Sequence, residues 1–508
     1  MMSRQARVLV VGAGPAGLTL AAELARSGVA CTVVDKRQDP STRSRAFGLQ
    51  PVTLEMLDAR GLAERLLKEG IAWPAAPVGD GVRWLPFDDL PTRFPYMLII
   101  PQTDTERILA EWALDSGVTL RRGATLERLT DTGDEVVAGL RSAGDGAEEE
   151  TRWDYVAGCD GVRSTVRTLA GIGFRGRDYP DSLVVADVRL SRPPAQRVVG
   201  LSVPRGMIAL FPFPDGTYRV VVEDNLRMSV PVEEPVSQAE LLDSMHAVLG
   251  GDYGLSEILW ASRYRSRQRQ ADAYRRGRVL LAGDAGHTHI PSGGQGLQLG
   301  IADAINLGWK LAAVATGRAG DALLDTYQEE RRPLAAGILR KTDLLYRFNT
   351  ASSPPARALR WIGVKAATLP FVRSQVVREL SGLDVVYPSM RRRGDHALVG
   401  RRYPDTLVAP ASVAGNGDGD GEAVRMAEML RAGRGVLIDG GGPAGRVLID
   451  GGERAGRAGP GWADQVEVCV PRGPQPLPRG ASALIRPDGF TCWIGRDPFI
   501  GSARSAGG

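Results

Sequence analysis

A chain of 508 residues is longer than one ordinary hydrophobic core and predicts two or three domains. Its 43% hydrophobic and 24% charged residues are those of a soluble globular protein. Lys+Arg 63 against Asp+Glu 59 leaves a net charge of only +4 without a basic run, which argues against nucleic acid as a partner. The four cysteines, Cys31, Cys159, Cys469 and Cys492, form no CxxC pair and no metal-ligand spacing with the four histidines, so a reduced, cytoplasmic chain without a metal site is expected. Residues 1–11 lack an apolar core and a cleavage site, and Leu9–Leu24 is broken by glycines and a proline, so neither export nor a membrane span is expected.

Residues 6–35 read as strand, glycine turn, helix and strand. Gly12, Gly14 and Gly17 match G-x-G-x-x-G directly after ARVLVV and directly before a helix that Gly28 closes. Asp35 ends the second strand, where an acid takes the ribose hydroxyls of an adenine dinucleotide. That acid favours an unphosphorylated ribose, hence FAD or NAD, and Lys36 and Arg37 read as a solvated pair just beyond it. Thr103 and Glu106 are spaced as a capping box, so a helix follows Gln102 and stops at Gly117. Residues 118–157 alternate as strands around a charged hairpin at Asp145–Glu150. A further strand runs into Cys159, Asp160 and Gly161, with Arg163, Ser164 and Arg167 on the next turn and helix.

From about Asp181 to Arg263 the pattern changes to strands, SLVVADVRL, RVVGLSV, MIALFPF and, after a Pro-Asp-Gly turn, TYRVVVED, an expected separate antiparallel sheet. Phe211 and Phe213, beside Pro212 and Pro214, either wall an apolar pocket or pack in the core. The most constrained stretch is RVLLAGDAGHTHIPSGGQGLQLGIADAINLGWK, residues 278–310. Val279–Ala282 form a short buried strand whose C-terminal tip carries Gly283 and Asp284. A polar turn rich in Gly and Pro follows, and then a helix with a core stripe of Ile301, Ala304, Ile305, Gly308, Leu311 and Ala312. Asp303, Asn306 and Lys310 fall on its other faces. Unpaired amides at Gly293–Leu297 and the helix dipole favour an anion there. His287 and His289 sit inside the turn, His287 read as a buried ring bonded to backbone.

Residues 314–395 read as helices that include an exposed charged run, Tyr327–Arg332. A linker at Arg391–Pro404 leads to a small β-rich unit ending in the hairpin SALIRPDGFTCWIG. Val436–Gly445 repeats the glycine spacing at Gly440, Gly442 and Gly445 without a following helix, and reads as a glycine-rich loop. One dinucleotide site is therefore expected, and a nicotinamide coenzyme would have no Rossmann domain of its own.

Gly12, Gly14 and Gly17 with Asp35, CDGVRSTVR at 159–167, and GDAGHTHIPSGGQGLQLGIADAINLGWKL at 283–311 together resemble the FAD-dependent aromatic hydroxylases of class A, the flavoprotein monooxygenases typified by para-hydroxybenzoate hydroxylase. The resemblance covers about residues 5–400, and the tail is similar to the thioredoxin-like ends of the longer members, among them hydroxylases that tailor aromatic polyketides such as angucyclines. It implies an α/β architecture: a Rossmann-like FAD-binding domain at 1–180 and 264–395, an antiparallel substrate domain at 181–263, and a thioredoxin-like C-terminal domain at 400–508 without CxxC. It also implies FAD as cofactor, NADPH or NADH as transient reductant, and O2 and a small aromatic polyketide, phenol or quinone as substrates, with room for a homodimer. The oxygen would reach an electron-rich ring through a flavin C4a-hydroperoxide. The alternative is a Baeyer–Villiger or rearranging oxygenase using the same flavin peroxide.

Carried over residue by residue, the resemblance places Gly12, Gly14, Ala16 and Gly17 at the pyrophosphate, with Asp35 and Lys36 at the adenosine ribose. Arg45 and Gln102 would lie along the pyrophosphate and ribityl chain, and Gly283 and Asp284 at the ribityl hydroxyls. Gly294, Gly296 and Leu297 would face the isoalloxazine, Pro291 would border the moving ring, and Asp160 and Arg163 would contact FAD and NADPH. Phe211, Phe213 and Pro291 are the substrate candidates. No catalytic residue is assigned; the candidates are Arg45, His287 and Pro291, and the flavin itself carries the chemistry. A flavin halogenase would need WxWxIP, and a disulfide reductase a CxxC and a second working fingerprint; the sequence has neither.

Overall fold

The N-terminal strands carry apolar runs without alternation because both faces of their sheet are covered. Val8, Leu9 and Val10 are fully buried. The computed structural model describes residues 5–43, 45–77, 83–289, 294–350, 355, 362–363, 365–410, 422–440 and 466–496. Its six-stranded sheet runs in the order Arg275–Arg276, Val279–Leu281, Tyr155–Gly158, Arg7–Val11, Ala30–Asp35, Thr119–Arg122. Only the first pair is antiparallel. Three of these strands deliver Gly12, Asp160 and Asp284 at or just past their carboxyl ends, the edge where open α/β sheets hold ligands.

Two helices pack unusually closely behind that edge, Pro15–Arg26 and the long helix Gln295–Ala315. Small residues permit it. A Cβ at Gly308 would come within 2.5 Å of the Glu23 Cβ, and Gly300 and Gly283 both lie against the Ala16 methyl. The expected apolar stripe is the buried one, but the long helix has no solvent face along Asp303, Asn306 and Lys310, which are 0%, 1% and 0% exposed. Likewise the run Tyr327–Arg332, expected to be exposed, buries Tyr327, Glu330 and Arg331. Period alone marks where an apolar face lies; it does not reveal that the opposite face meets other charged segments.

The segment expected as strands from Asp181 to Arg263 forms a five-stranded antiparallel sheet, but it also contains the helix Gln238–Leu249. The Ser237 hydroxyl caps that helix by accepting from the Glu240 amide at 3.1 Å, and Gly250 closes it in the left-handed region. Leu241, Met245 and Val248 of the helix cover one face of the sheet, packing on Val184, Ile208, Leu210 and Val220. The other face meets the N-terminal part of the molecule at Arg45–Phe47 and Ile99. The helix Gln102–Asp115 begins where expected, yet Pro101 takes the cap position and no side chain caps it; Thr103 falls inside the first turn, and Glu106 instead accepts from the Gln102 amide nitrogen at 2.6 Å.

The C-terminal unit is a six-stranded sheet in which Gly435–Ile438 runs parallel to Val466–Pro471 and the expected final hairpin pairs Ser482–Ile485 with Thr491–Gly495. Gly440 follows the first of these strands, whereas Gly442 and Gly445 lie outside the described residues. The hairpin's turn enters the helical layer. Glu330 receives Arg486 at 2.7 Å and 2.9 Å, Asn306 at 2.8 Å and Lys310 at 2.9 Å, while Asp488 pairs with Arg486 and accepts from Asn306 at 3.1 Å. Nearby, Arg60 forks onto Glu23 and reaches the Pro487 carbonyl. Asp58 collects Arg93, Arg425 and Arg431.

Removing one member of a buried ionic cluster leaves the others uncompensated. Glu330→Ala should therefore lower stability by about 3–5 kcal/mol, read as a drop in denaturant midpoint. Burial, aided by the Arg486 charge, pushes Lys310 down to about 7 from 10.5 against the pull of Glu330 and Asp488. Between those pH values the unfolded chain binds a proton that the folded chain does not, so this contribution to stability rises with pH across the window. Lys310→Met should flatten that rise in unfolding curves measured from pH 6 to 10.

Candidate cofactor and substrate site

The glycine turn is shaped by what each glycine touches. Gly12 has φ 108°, and a Cβ there would lie 2.4 Å from the Cys159 carbonyl, so this position admits no side chain. A Cβ at Gly17 would meet the Gly12 carbonyl at 1.9 Å, which brings helix onto strand. At Gly14 a Cβ would meet nothing within 4 Å. The turn is thus tight where it packs and bare where a pyrophosphate would approach, and the helix behind it begins at Pro15 with no side-chain cap on its amides.

Asp35 is buried at the strand tip. Its carboxylate accepts from the Ala13 amide at 2.8 Å, from the Arg37 amide at 2.8 Å and from the Arg37 guanidinium at 3.1 Å. Burial pushes this carboxyl up, but the Arg37 and Ala13 hydrogen bonds outweigh it and hold the group below the usual carboxylate range. Arg37, partly exposed, is thus not only solvated, as expected, but also forks onto the Asp35 carboxylate, while Lys36 is exposed. Gln102 and Glu106 stand on the same side, the latter within electrostatic reach of Arg37 and Asp35.

The second motif feeds the same edge. One oxygen of Asp160 takes the amides of Thr165 and Val166 at 2.6 and 3.1 Å, capping the short helix Thr165–Leu169 together with Ser164. Its other oxygen is buried with no hydrogen-bond partner in the structure. Arg163 is exposed on the turn. Arg167, to which no role was attached, is buried, stacks 3.8 Å over the Phe174 ring and donates to the Ala285 carbonyl at 2.9 Å, joining the second motif to the third.

In the third motif, Gly283 adopts φ 62° and opens a one-turn 3-10 helix, Gly283–Ala285, whose middle residue Asp284 is exposed to solvent although ringed by protein. That crowded surrounding raises its carboxyl, with His287 pulling the other way. Gly294 caps the long helix in the left-handed region with open space where a Cβ would stand. Gln298, which sequence reasoning passed over, donates to the Gly48 and Gly294 carbonyls at 2.7 and 3.1 Å and accepts from Thr53, fixing the cap while the first-turn amides face away from any side-chain cap. Gly296 and Leu297 lie in that turn; Pro291 lies outside the described residues. His287 is buried as expected, but its Nε2 bonds the Asp303 carboxylate at 2.6 Å and not backbone. At 0% exposure it has no route to a substrate.

The sheet face opposite the Gln238–Leu249 helix carries the substrate candidate Phe211. Phe211, Arg219, Asp187 and Trp260 are register partners in one row across four strands. Arg219, 2% exposed, forks onto Asp187 at 2.7 Å, donates to the Arg45 and Ala46 carbonyls, and lies under Phe47, Phe213 and Trp260. Phe211 sits 4.5 Å from Phe47, and with Phe213 it joins Ile99, Val198 and Ala209 in an apolar cluster. Arg45 is exposed at this seam, 5.1 Å over the Tyr264 ring and bonded to Ser262 at 3.1 Å. Phe211 and Phe213, 8% and 6% exposed, are thus packed into the core on this face of the sheet. The bare Gly14 and Gly294, the unpartnered Asp160 oxygen, the exposed Asp284 and the two uncapped helix starts fit an adenine dinucleotide with a flavin.

Residues 5–342 match the FAD binding domain family, and residues 396–505 match the C-terminal domain of aromatic-ring hydroxylases. The chain is 36% identical over 499 residues to 12-dehydrotetracycline 5-monooxygenase/anhydrotetracycline 6-monooxygenase of Streptomyces rimosus, covering 96% of this chain and 94% of that protein. It is 35% identical to a rifampicin monooxygenase of Streptomyces venezuelae, with 96% of each covered. The solved structure of an aromatic hydroxylase from angucycline biosynthesis superposes with a TM-score of 0.82 at 34% identity, covering 98% of this chain and 97% of that one.

The two glycines should separate folding from binding. Gly12→Ala has to displace backbone and should yield little folded protein, whereas Gly14→Val should retain wild-type melting of the flavin-free chain yet lose most of its FAD affinity in a fluorescence titration.

Proposed function

This chain belongs to the FAD-binding aromatic-ring hydroxylases, and we propose that within them it hydroxylates a polycyclic aromatic polyketide or a related phenol or quinone, using NADPH or NADH and O2. It is a FAD-dependent monooxygenase. What supports the narrower reading is the likeness over nearly the whole chain to a tetracycline-type monooxygenase and an angucycline-type hydroxylase, together with the aromatic row at the domain seam. Among the described residues no helix is long and apolar enough to cross a membrane.

Bound FAD supplies the redox chemistry and the activation of O2, for which no side chain of this protein is suited. The protein's part is to bind, orient and exclude water. Gly12, Gly14 and the Pro15 helix start would take the pyrophosphate, Asp35 the ribose and Asp284 the ribityl hydroxyls. The uncapped amides at Gly294–Leu297 would favour the negative charge of the reduced ring. On the other side, Phe47, Phe211, Phe213 and Trp260 would offer a flat apolar wall to a fused ring system, with Arg219 locking that wall to the Arg45–Ala46 backbone. Arg45 is the exposed cation at the seam and is suited to an enolate or phenolate edge of the substrate.

NADPH consumption under O2, followed across phenols, naphthoquinones and tetracyclic polyketides, tests the reading. Stimulation by one ligand and a product heavier by one oxygen on an intact ring system is expected. Ligand-dependent turnover to a ring-expanded or rearranged product would instead establish the Baeyer–Villiger alternative, and a protein that takes up no flavin would defeat both. Phe211→Leu should raise KM for the accepted aromatic by roughly tenfold while leaving FAD content unchanged.

A further inference from the structure

We propose that Asp303 is a positioning residue for the FAD cleft, setting the placement of Asp284 by holding Gly283 and His287 on either side of it, without itself touching cofactor or substrate. The inference rests on the reading of the cleft as the FAD site. Asp303 lies one full turn and more inside the long helix and is fully buried. One of its oxygens, Oδ2, accepts from the Gly283 amide at 3.1 Å and from His287 Nε2 at 2.6 Å. The other, Oδ1, accepts from Arg331 Nε at 2.6 Å. Arg331 is also buried, and spends its remaining donors on the Tyr387 hydroxyl at 2.9 Å and the Leu299 carbonyl at 3.1 Å.

These contacts hold both sides of Asp284. The residue before it, Gly283, is kept at φ 62°, a conformation open chiefly to glycine, with the Ala16 methyl 3.1 Å from where a Cβ would stand. Three residues after it, His287 pairs in the short strand His287–Thr288 and is anchored through its ring to the same carboxylate oxygen. A two-point hold on a three-residue 3-10 turn fixes the direction in which the intervening carboxylate projects. Tyr274 packs on the His287 ring at 5.9 Å, and His287 Nδ1, buried with no partner in the structure, leaves Asp303 as the ring's polar anchor. Burial alone would raise the Asp303 carboxyl; Arg331 and His287 outweigh it and hold it below its ordinary range, so the acceptor stays ionised.

The test uses full-length protein freed of flavin and titrated with FAD, comparing wild type, Asp303→Asn, Asp284→Asn and the double variant. Asp303→Asn keeps the size of the side chain but removes the charge that orders its donors, and should weaken FAD binding by roughly tenfold or more. Because it acts through Asp284, its effect should largely vanish in the Asp284→Asn background, and the visible circular dichroism of the bound flavin should change in the same way in both single variants. A merely structural role would lower melting temperature without that coupling. FAD affinity within twofold of wild type, or effects of the two substitutions that multiply independently, would overturn the proposal while leaving the FAD site intact. Should Asp303→Asn fail to fold, His287→Gln releases one of the two holds and should give a smaller weakening, again only where Asp284 is present; an unchanged titration would overturn the proposal equally. Failure of the wild type to bind FAD would instead defeat the cofactor reading and the proposal with it.

Discussion

A carboxylate with no access to water must be answered by donors placed for it in advance, and Asp303 is answered from two sides: by the Gly283 amide and the His287 ring of one turn, and by the Arg331 guanidinium of a later helix. Each charge-assisted bond is worth about 1.5–3 kcal/mol, and an unanswered buried charge costs several. That asymmetry makes the arrangement close to all-or-none. It draws the edge of the sheet, the long helix and the helix Asp325–Thr350 into one geometry, and Arg331 carries the requirement on to Tyr387. The cofactor edge is therefore a product of charge satisfaction as much as of apolar packing.

Around that centre the two faces of the site are built differently. On the proposed dinucleotide side the working surface would be backbone, and small residues clear the space: Gly12 and Gly17 where chain meets chain, Gly14 and Gly294 where chain meets open space. On the proposed substrate side the working surface would be aromatic side chains held by one cation. Arg219 joins strand to loop through two carbonyls and supports three rings at once, so the wall moves, if it moves, together with the Arg45–Phe47 segment. Backbone surfaces recognise what every flavin shares, and side-chain surfaces vary between relatives that act on different rings.

What could be read in advance was whatever has a local physical signature. Gly12, Gly14, Gly17 and Asp35 occupy their expected places because a strand, a tight turn and a helix must follow one another there, and the Val279–Ala282 strand needed only its apolar run. The helix Gln238–Leu249 was legible too, in Ser237 and Glu240, but was overlooked within a stretch rich in β-branched residues. Asp303, Asn306, Lys310, Glu330 and Arg331 were not legible. Helical period assigns charges to solvent by default, and these meet their partners across long sequence separations that no local pattern encodes. Arg37 and His287 were only partly legible for a related reason: each was read by its own surroundings, when its partner, Asp35 or Asp303, decided its role.

The turn of the last hairpin carries a consequence for how the protein is made. Ribosomal synthesis releases the chain from the N-terminus, and domains tend to fold as they emerge. Here Asn306, Lys310 and Glu330 are made well before Arg486 and Asp488, which complete their charge balance, Arg486 lying 156 residues beyond Glu330. Until they arrive, the long helix presents a half-neutralised cluster to water instead of a sealed layer. Sealing of this layer then waits on the C-terminal sheet, and chains truncated shortly before the hairpin would be left with an open underside on the long helix.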